Sequence, residues 1–288
     1  MLTVLAPAKI NLTLEVLGKR SDGYHEIRSV IQTVGLCDRL RFRLSRNIKF
    51  GSNNPALVVA ESLVSRTTVL LKQATGCDKG AIIEVTKNIP MVSGLGGDSS
   101  GAAATLRGLN RLWELGLSPA ELVSLALRLG SDVPFFLYGG TALVEGRGEI
   151  ITPLPPLPHR WVVLMMPAVP RMAEKTKQLY GSLKPSHYTD GQVTERFIRA
   201  LKTDEGFEPS MLFNTFENVA FDRFPGLKVY KEHLIKLGAK NVHLAGSGPA
   251  LFTLIKDRTE AERLYENLQK QSLECYLAET TANKGGIQ

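Results

Sequence analysis

The chain has 288 residues, of which 43% are hydrophobic and 22% are charged, and its formal net charge is +7. This composition excludes a disordered or fibrous chain and leaves room for two domains with a sizeable core. No apolar run approaches membrane-spanning length. Residues 1–8 lack the basic start and long apolar run of a signal peptide, so we expect them to begin a strand.

The cysteines and the positive charge narrow the classes of function. Cys37, Cys77 and Cys275 are far apart and odd in number, which indicates reduced thiols in a cytoplasmic compartment. Neither they nor the five histidines have metal-ligand spacing, so no metal site built by the protein is predicted. The charge suits either a nucleic-acid surface or the handling of polyanionic small molecules. Because basic residues are interleaved with acids and no arginine-rich or RNP-like segment occurs, the small-molecule interpretation is favoured.

The first half of the chain mixes strands and helices. Ser118-Pro-Ala-Glu121 is a capping box, and the Asp-Gly step at residues 22–23 predicts a turn. Residues 131–136 are predicted as a tight connection. Alternation and helical spacing predict strands over residues 2–17 (broken at Pro7), 26–34, 39–44 and 81–87, helices over 62–74, 102–115 and 118–130, and a hairpin of 141–144 with 149–152.

The proline-rich segment 153–158 predicts a domain boundary, with one domain over residues 1–155 and a second over residues 156–288. The same rules predict, for the second half, strands over 161–166 and 273–278, helices over 172–183, 192–202, 227–237 and 258–271, a polar loop over 184–191, and two strand-like runs within 241–255. Since no regular βαβ rhythm is present, the predicted fold class is α+β.

A glycine-rich stretch joins the predicted strand over residues 81–87 to the helix that follows. Such a turn attracts anions, because glycines allow close approach and the first N–H groups of a helix are unpaired. Ser99 and Ser100 can cap the helix and can offer hydroxyls to phosphate or to Mg²⁺. The pattern is neither a Walker loop nor a Rossmann fingerprint, and a plain turn with a cap is the alternative. We call residues 90–100 the glycine loop; its candidate phosphate-binding residues are Pro90, Met91, Val92, Ser93, Gly94, Leu95, Gly96, Gly97, Asp98, Ser99 and Ser100.

Three stretches in this order, residues 7–11 (Pro-Ala-Lys-Ile-Asn), the glycine loop and residues 244–249 (Leu-Ala-Gly-Ser-Gly-Pro), resemble the three signature motifs of the GHMP kinases. Residues 20–25 (Arg-Ser-Asp-Gly-Tyr-His), 130–134 (Gly-Ser-Asp-Val-Pro) and 145–149 (Glu-Gly-Arg-Gly-Glu) are similar to the branch that phosphorylates a cytidine-diphosphate-linked methylerythritol in the non-mevalonate isoprenoid route. The resemblance implies a two-domain fold, with an N-terminal domain like domain 2 of ribosomal protein S5 and a ferredoxin-like C-terminal domain. It also implies a cleft between the two domains, ATP as phosphate donor with Mg²⁺, and an alcohol as acceptor.

The resemblance also assigns roles. Asp132 would be the catalytic base, and Lys9 would keep it ionised and stabilise developing charge on the phosphate. Without the resemblance, Asp132 would be read as a turn residue and Lys9 as a solvated strand charge. Asp98 could reach a magnesium ion or face solvent, and we expect solvent because its charge beside a triphosphate is otherwise unfavourable.

The resemblance places the acceptor's cytosine on aromatic residues, where an isolated Tyr or His would otherwise be read as packing. The expected substrate-binding residues are Asn11, Tyr24, His25, Tyr180, Gly246 and Ser247. The branch often has an asparagine near the adenine where this chain has Ser62. The sequence therefore does not predict the shape of the adenine pocket. Two alternatives remain: a GHMP kinase for mevalonate, homoserine or a sugar, and an RNA-associated binding protein.

Overall fold

The computed structural model describes residues 1–55, 57, 61–170, 172–203 and 206–282. The strands are β1 Leu2–Lys19, β2 His25–Ser45, β3 Lys49–Ser52, β4 Gly80–Thr86, β5 Thr141–Gly146, β6 Ile150–Pro153, β7 Trp161–Met165, β8 Phe213–Asn214, β9 His243–Leu244, β10 Leu251–Ile255 and β11 Cys275–Glu279. The helices are α1 Leu63–Thr75, α2 Gly97–Trp113, α3 Pro119–Leu127, α4 Val133–Tyr138, α5 Lys175–Ser182, α6 Gln192–Lys202, α7 Glu217–Arg223, α8 Leu227–Lys236 and α9 Arg258–Lys270. The α+β prediction is confirmed.

The first sheet is organised around the antiparallel pair of β1 and β2. Its strand order is β3-β4-β2-β1-β8, with β5 pairing β2 and β6 pairing β5. The predicted break at Pro7 is a register shift between Pro7 and Ala8 inside a continuous strand. A bulge tolerates proline because it removes the need for a ladder N–H at that position. The predicted strands over residues 26–34 and 39–44 are likewise one strand, β2, because the pairing with β1 continues beyond the bulge.

Helix α2 packs its small residues against the first sheet. Ala102, Ala103 and Ala104 are fully buried in a cluster that includes Phe42 of β2. A Cβ built on Gly108 would lie 2.5 Å from the Phe42 ring, so only glycine allows this approach. The close packing fixes the direction in which the start of α2 points.

The second sheet has the order β11-β7-β10-β9 and is covered by α9 and neighbouring helices. The second half of the chain contacts the first sheet at several places. Strand β8 pairs in parallel with β1, although it comes from the second half of the chain. Beyond β11, the backbone N–H of Thr281 donates to Thr33 O at 3.0 Å. The two sheets therefore meet along β1 and β2.

Several predicted bounds were wrong. Residues 133–138 form helix α4 rather than part of a tight connection, with Pro134 in its first turn, where a missing N–H costs nothing. Helix α2 begins at Gly97, five residues before the predicted start. Strands β3 and β8 and helix α7 were not predicted, since their short sequences carry no periodicity. Within the described ranges, no helix is both long enough and apolar enough to cross a membrane.

Candidate active site

A cleft of about 900 Å³ lies where the two sheets meet. It is lined by residues from β1, the glycine loop, the start of α4, the start of α5 and residues 244–249, which we call the glycine turn. All the predicted site residues line this cleft except Leu95 and Ser100. Leu95 is 1% exposed and Ser100 is fully buried, so their side chains belong to the interior.

The glycine loop is held in place by the glycine turn. Gly94 has φ +91°, and a Cβ built on it would overlap the carbonyl oxygen of Ala245. The backbone N–H of Ala250 donates to Ser93 O at 3.1 Å. The Ser93 hydroxyl closes the loop by donating to Pro90 O at 2.7 Å. The loop conformation therefore depends on the second half of the chain.

The expectation that Ser99 and Ser100 cap helix α2 is wrong. The N-cap is Gly96, with φ +74° and no side-chain cap, and both serines lie inside the first turns. A Cβ on Gly96 would lie 2.7 Å from the ring of Phe136, so the loop needs glycine here as well. Because no side chain caps the helix, its first N–H groups remain available to an anion in the cleft.

Ser100 and Asp98 differ in their surroundings. The Ser100 hydroxyl is buried and has no hydrogen-bond partner among the described residues. The Asp98 side chain is 68% exposed, with one oxygen 3.8 Å from Lys87 Nζ. Asp98 therefore lies at the solvent side of the cleft mouth.

Lys9 and Asp132 meet on the floor of the cleft. Lys9 is 5% exposed, and its Nζ lies 4.0 Å from Asp132 Oδ2. The same Nζ donates to Asn11 Oδ1 at 2.7 Å, since both residues face one side of β1. The Asn11 amide in turn donates to Ser29 Oγ at 2.9 Å. Burial lowers the pKa of Lys9, and the nearby Asp132 carboxylate opposes that shift.

An aromatic group forms the other end of the cleft. The rings of His25 and Tyr180 stack at 4.7 Å with an angle of 19° between their planes. Tyr24 is 56% exposed, and the guanidinium of Arg147 lies 4.8 Å from the centre of its ring. Burial, with a smaller effect of the Lys19 charge, lowers the pKa of His25. For a base to lie against the covered face of Tyr180, the stack with His25 would have to open.

The glycine turn reaches the same floor. Gly246 has φ +55°, and a Cβ built on it would lie 3.0 Å from Lys9 Nζ. The Asn214 amide of β8 donates to Leu244 O at 2.9 Å and to Gly246 O at 2.8 Å, which holds the turn against the first sheet. The Ser247 hydroxyl lies 3.0 Å from the hydroxyl of Thr176 on α5. Ser247 thus connects the turn to α5.

Sequence reasoning missed most of the positive charge of the cleft. Its described lining holds six cationic side chains and two carboxylates, an excess that attracts polyanions. The cations are Lys9, Lys19, Lys87, Arg147, Lys175 and Lys177, and the carboxylates are Asp98 and Asp132. Of these six cations, only Lys9 was predicted as a site residue from the sequence. Arg147 lies in a quoted motif, and Lys175 carried no signal because its burial depends on the tertiary fold.

Two family models match the chain. Residues 62–140 match the GHMP kinases N-terminal domain, and residues 197–273 match the GHMP kinases C-terminal domain. The chain belongs to the GHMP kinase family, and it is a small-molecule kinase with ATP as phosphate donor.

Several relatives that span nearly the whole chain share one name. The 4-diphosphocytidyl-2-C-methyl-D-erythritol kinase of Dehalococcoides mccartyi strain BAV1 is 47% identical over 280 residues, which cover 97% of this chain and 98% of that protein. The kinase of the same name from Symbiobacterium thermophilum is 41% identical over 95% of this chain and 97% of its own length. A crystal structure of 4-(cytidine 5'-diphospho)-2C-methyl-D-erythritol kinase has a TM-score of 0.84 at 33% identity, covering 98% of this chain and 100% of that one. The two-domain GHMP kinase fold is thereby confirmed.

Proposed function

We propose that the chain transfers the γ-phosphate of ATP to the 2-hydroxyl of 4-diphosphocytidyl-2-C-methyl-D-erythritol, a step in isoprenoid precursor biosynthesis. The proposal depends on one observation: the Lys9–Asp132 pair, the glycine loop and the aromatic group share the same cleft. The aromatic group consists of Tyr24, His25 and Tyr180. The name shared by relatives that span nearly the whole chain supports the choice of acceptor.

Asp132 acts as the general base in this proposal. Its carboxylate takes the proton of the acceptor hydroxyl, whose oxygen forms a bond to the γ-phosphorus while the bond to the β,γ-bridging oxygen breaks and ADP leaves. Lys9, 4.0 Å from Asp132, stabilises the negative charge on the attacking oxygen and on the transferred group. Its bond to Asn11 holds the ammonium in place.

The glycine loop holds the ATP phosphates. The uncapped start of α2 offers backbone N–H groups, and the helix dipole adds attraction for negative charge. Asn11, Gly246 and Ser247 line the same cleft, and in this proposal they contact the acceptor.

Magnesium enters this proposal with ATP. Among the described residues, no group of three or more Asp, Glu, His or Cys side chains could hold a metal alone, which fits an ion bound mainly through phosphates. Asp98 and Ser99, at the end of the glycine loop, are oxygen donors that line the cleft and would complete the shell of the ion. The ion supplies neutralisation of phosphate charge.

The acceptor's cytosine is recognised by the aromatic group. Tyr24 offers an exposed ring face, and His25 offers ring nitrogens for the edge of the base. Tyr180, held edge-on by Phe216 at 4.8 Å, would cover the base from the α5 side.

The deciding experiment is a coupled ADP-release assay with three acceptors: the cytidyl compound, mevalonate and homoserine. We expect turnover with the cytidyl compound alone. Turnover of mevalonate or homoserine without it would overturn the choice of acceptor, and salt-sensitive RNA retention without ATP consumption would overturn the kinase assignment of the cleft.

We further propose a cytoplasmic location and a domain boundary between residues 155 and 156. Cys37, Cys77 and Cys275 are unpaired, as in a reducing compartment.

The proposed boundary lies between β6 of the first sheet and β7 of the second. Limited proteolysis followed by mass spectrometry tests the boundary, since exposed linkers are cut first.

A further inference from the structure

Lys175, the first residue of α5, touches both glycine segments of the cleft. Its side chain is largely buried, and its Nζ donates to the carbonyl oxygen of Val92 in the glycine loop at 2.7 Å. The same Nζ donates to the carbonyl oxygen of Gly248 in the glycine turn. One ammonium group therefore joins the loop, the turn and the helix.

The backbone on both sides of this contact is strained. Val92 has φ +60° and Glu174, which precedes Lys175, has φ +45°. A β-branched residue at positive φ is rare and persists only when its surroundings enforce it. The Val92 side chain is 51% exposed, so packing does not hold it, whereas its carbonyl is bound by Lys175.

A charge at this position is unfavourable for folding alone. Burial, and to a smaller extent the charge of Lys9, lowers the pKa of Lys175 to about 7. A buried apolar side chain of similar size would avoid this cost of desolvation. The presence of lysine therefore fits a role in the site rather than in the core.

Helix α5 continues from this contact to the aromatic group. Thr176 contacts Ser247 of the glycine turn, and Tyr180 stacks on His25. We propose that Lys175 is a positioning residue that holds the glycine loop in its phosphate-binding shape and couples it, through α5, to the aromatic end of the cleft. The proposal extends the proposed function, because it assumes ATP at the loop and the cytidyl acceptor at the aromatic group.

The test compares Lys175→Met with Lys228→Met, which removes a lysine from the exposed start of α8. Lys175→Met keeps most of the length of the side chain but removes the ammonium that makes both hydrogen bonds. We expect KM for ATP to rise and kcat to fall by about 10- to 100-fold, the effect of displacing a bound reactant by a fraction of an ångström. Lys228→Met should match the wild type in both.

Coupling is measured by the affinity for a non-hydrolysable ATP analogue with and without the cytidyl acceptor. In the wild type we expect the acceptor to tighten binding by about fivefold or more, and in Lys175→Met we expect no tightening. A merely structural role would weaken both ligands alike and preserve the ratio. Retained coupling, or KM for ATP within about twofold of the wild type, would overturn the proposal.

If Lys175→Met does not fold, the test is the ATP affinity of Lys175→Ala, measured with and without propylamine. Propylamine can enter through the cleft and replace the part of the lysine side chain that the alanine lacks. Restored ATP affinity supports the proposal, and no restoration overturns it. The wild type and Lys228→Met distinguish the proposed function from the positioning role of Lys175. If neither protein turns over the cytidyl acceptor, the proposed function is wrong. A loss of activity that is confined to the Lys175 variants bears on the positioning role alone.

Discussion

Single residues in the cleft differ in how far they are removed from water. Lys9 lies almost wholly inside, whereas the Asp132 side chain is 45% exposed. The buried cation keeps a fixed position, and the exposed carboxylate can meet an incoming hydroxyl. This division suits a base that must exchange its proton with solvent after each turnover.

Replacement of Asp132 by Asn tests the base directly. The amide keeps the size of the side chain but cannot take a proton, so we expect kcat to fall by about 100- to 10,000-fold. KM for ATP and for the acceptor should change little, because the binding groups remain. The measurement is steady-state ADP release, with Asp222→Asn on the exposed side of α7 as control. A near-normal kcat would remove Asp132 from this role.

Tyr24 supports a second prediction. Tyr24 is 56% exposed, and the guanidinium of Arg147 lies over its ring. Tyr24→Ala removes the stacking face, so we expect KM for the cytidyl acceptor to rise by about 10-fold or more and KM for ATP to stay near its normal value. Tyr24→Phe keeps the face and should behave like the wild type. Equal rises in both KM values would argue against stacking of the base at Tyr24.

Individual site residues could be predicted only where a motif carried them. Lys9 and Asp132 are 123 positions apart, and no local pattern joins them; the resemblance to a family did. Lys175 lies in no motif, and its contacts with Val92 and Gly248 arise from the packing of distant segments. The burial of a lysine by distant segments cannot be predicted from the residues next to it in the sequence.

Among the elements, the glycine loop and the glycine turn act as one unit. Gly94→Ala tests this contact, because the new Cβ would overlap Ala245 O at a backbone φ of +91°. The matched control is Gly116→Ala, which has φ +68° but nothing within 4 Å of the new Cβ. Both variants bear the cost of positive φ, about 1–2 kcal/mol.

We expect Gly94→Ala to lose at least about 10-fold more in kcat/KM for ATP than Gly116→Ala does. Thermal unfolding separates the two effects, since the control shares only the backbone strain. Equal activity of the two variants would show that the loop does not need close contact with the turn.

The elements themselves were predicted well where local chemistry decides. The capping box at Ser118 and Glu121 starts α3 as expected. Helix α4 was missed because its six residues carry no helical period, and its start at Val133 depends on packing against α2. Strand β8 is two residues long and exists only because β1 offers it an edge.

At the scale of the whole molecule, the net charge is +7, and part of this positive charge is concentrated in the cleft. The described lining of the cleft has six cationic side chains and two carboxylates, so the electrostatic potential there is positive. In the proposed function, the triphosphate of ATP and the diphosphate of the acceptor both bind in this cleft. The hydrogen bond from Asn214 of β8 to Leu244 of β9 and the contact of Thr281 with Thr33 keep the two sheets on either side of this charge. A nucleic-acid surface is not needed to account for the basic composition.

This field predicts a dependence on ionic strength. Salt shortens the Debye length from about 30 Å at 0.01 M to about 8 Å at 0.15 M, so kcat/KM for both substrates should fall across that range. Lys177→Met removes a cleft cation whose side chain is 79% exposed, and it should flatten the slope of log kcat/KM against ionic strength. Lys228→Met removes the same charge outside the described cleft lining and should leave the slope as it is. The measurement is initial-rate ADP release over a potassium chloride series at subsaturating ATP. If both variants flatten the slope equally, the attraction comes from total charge and not from the cleft.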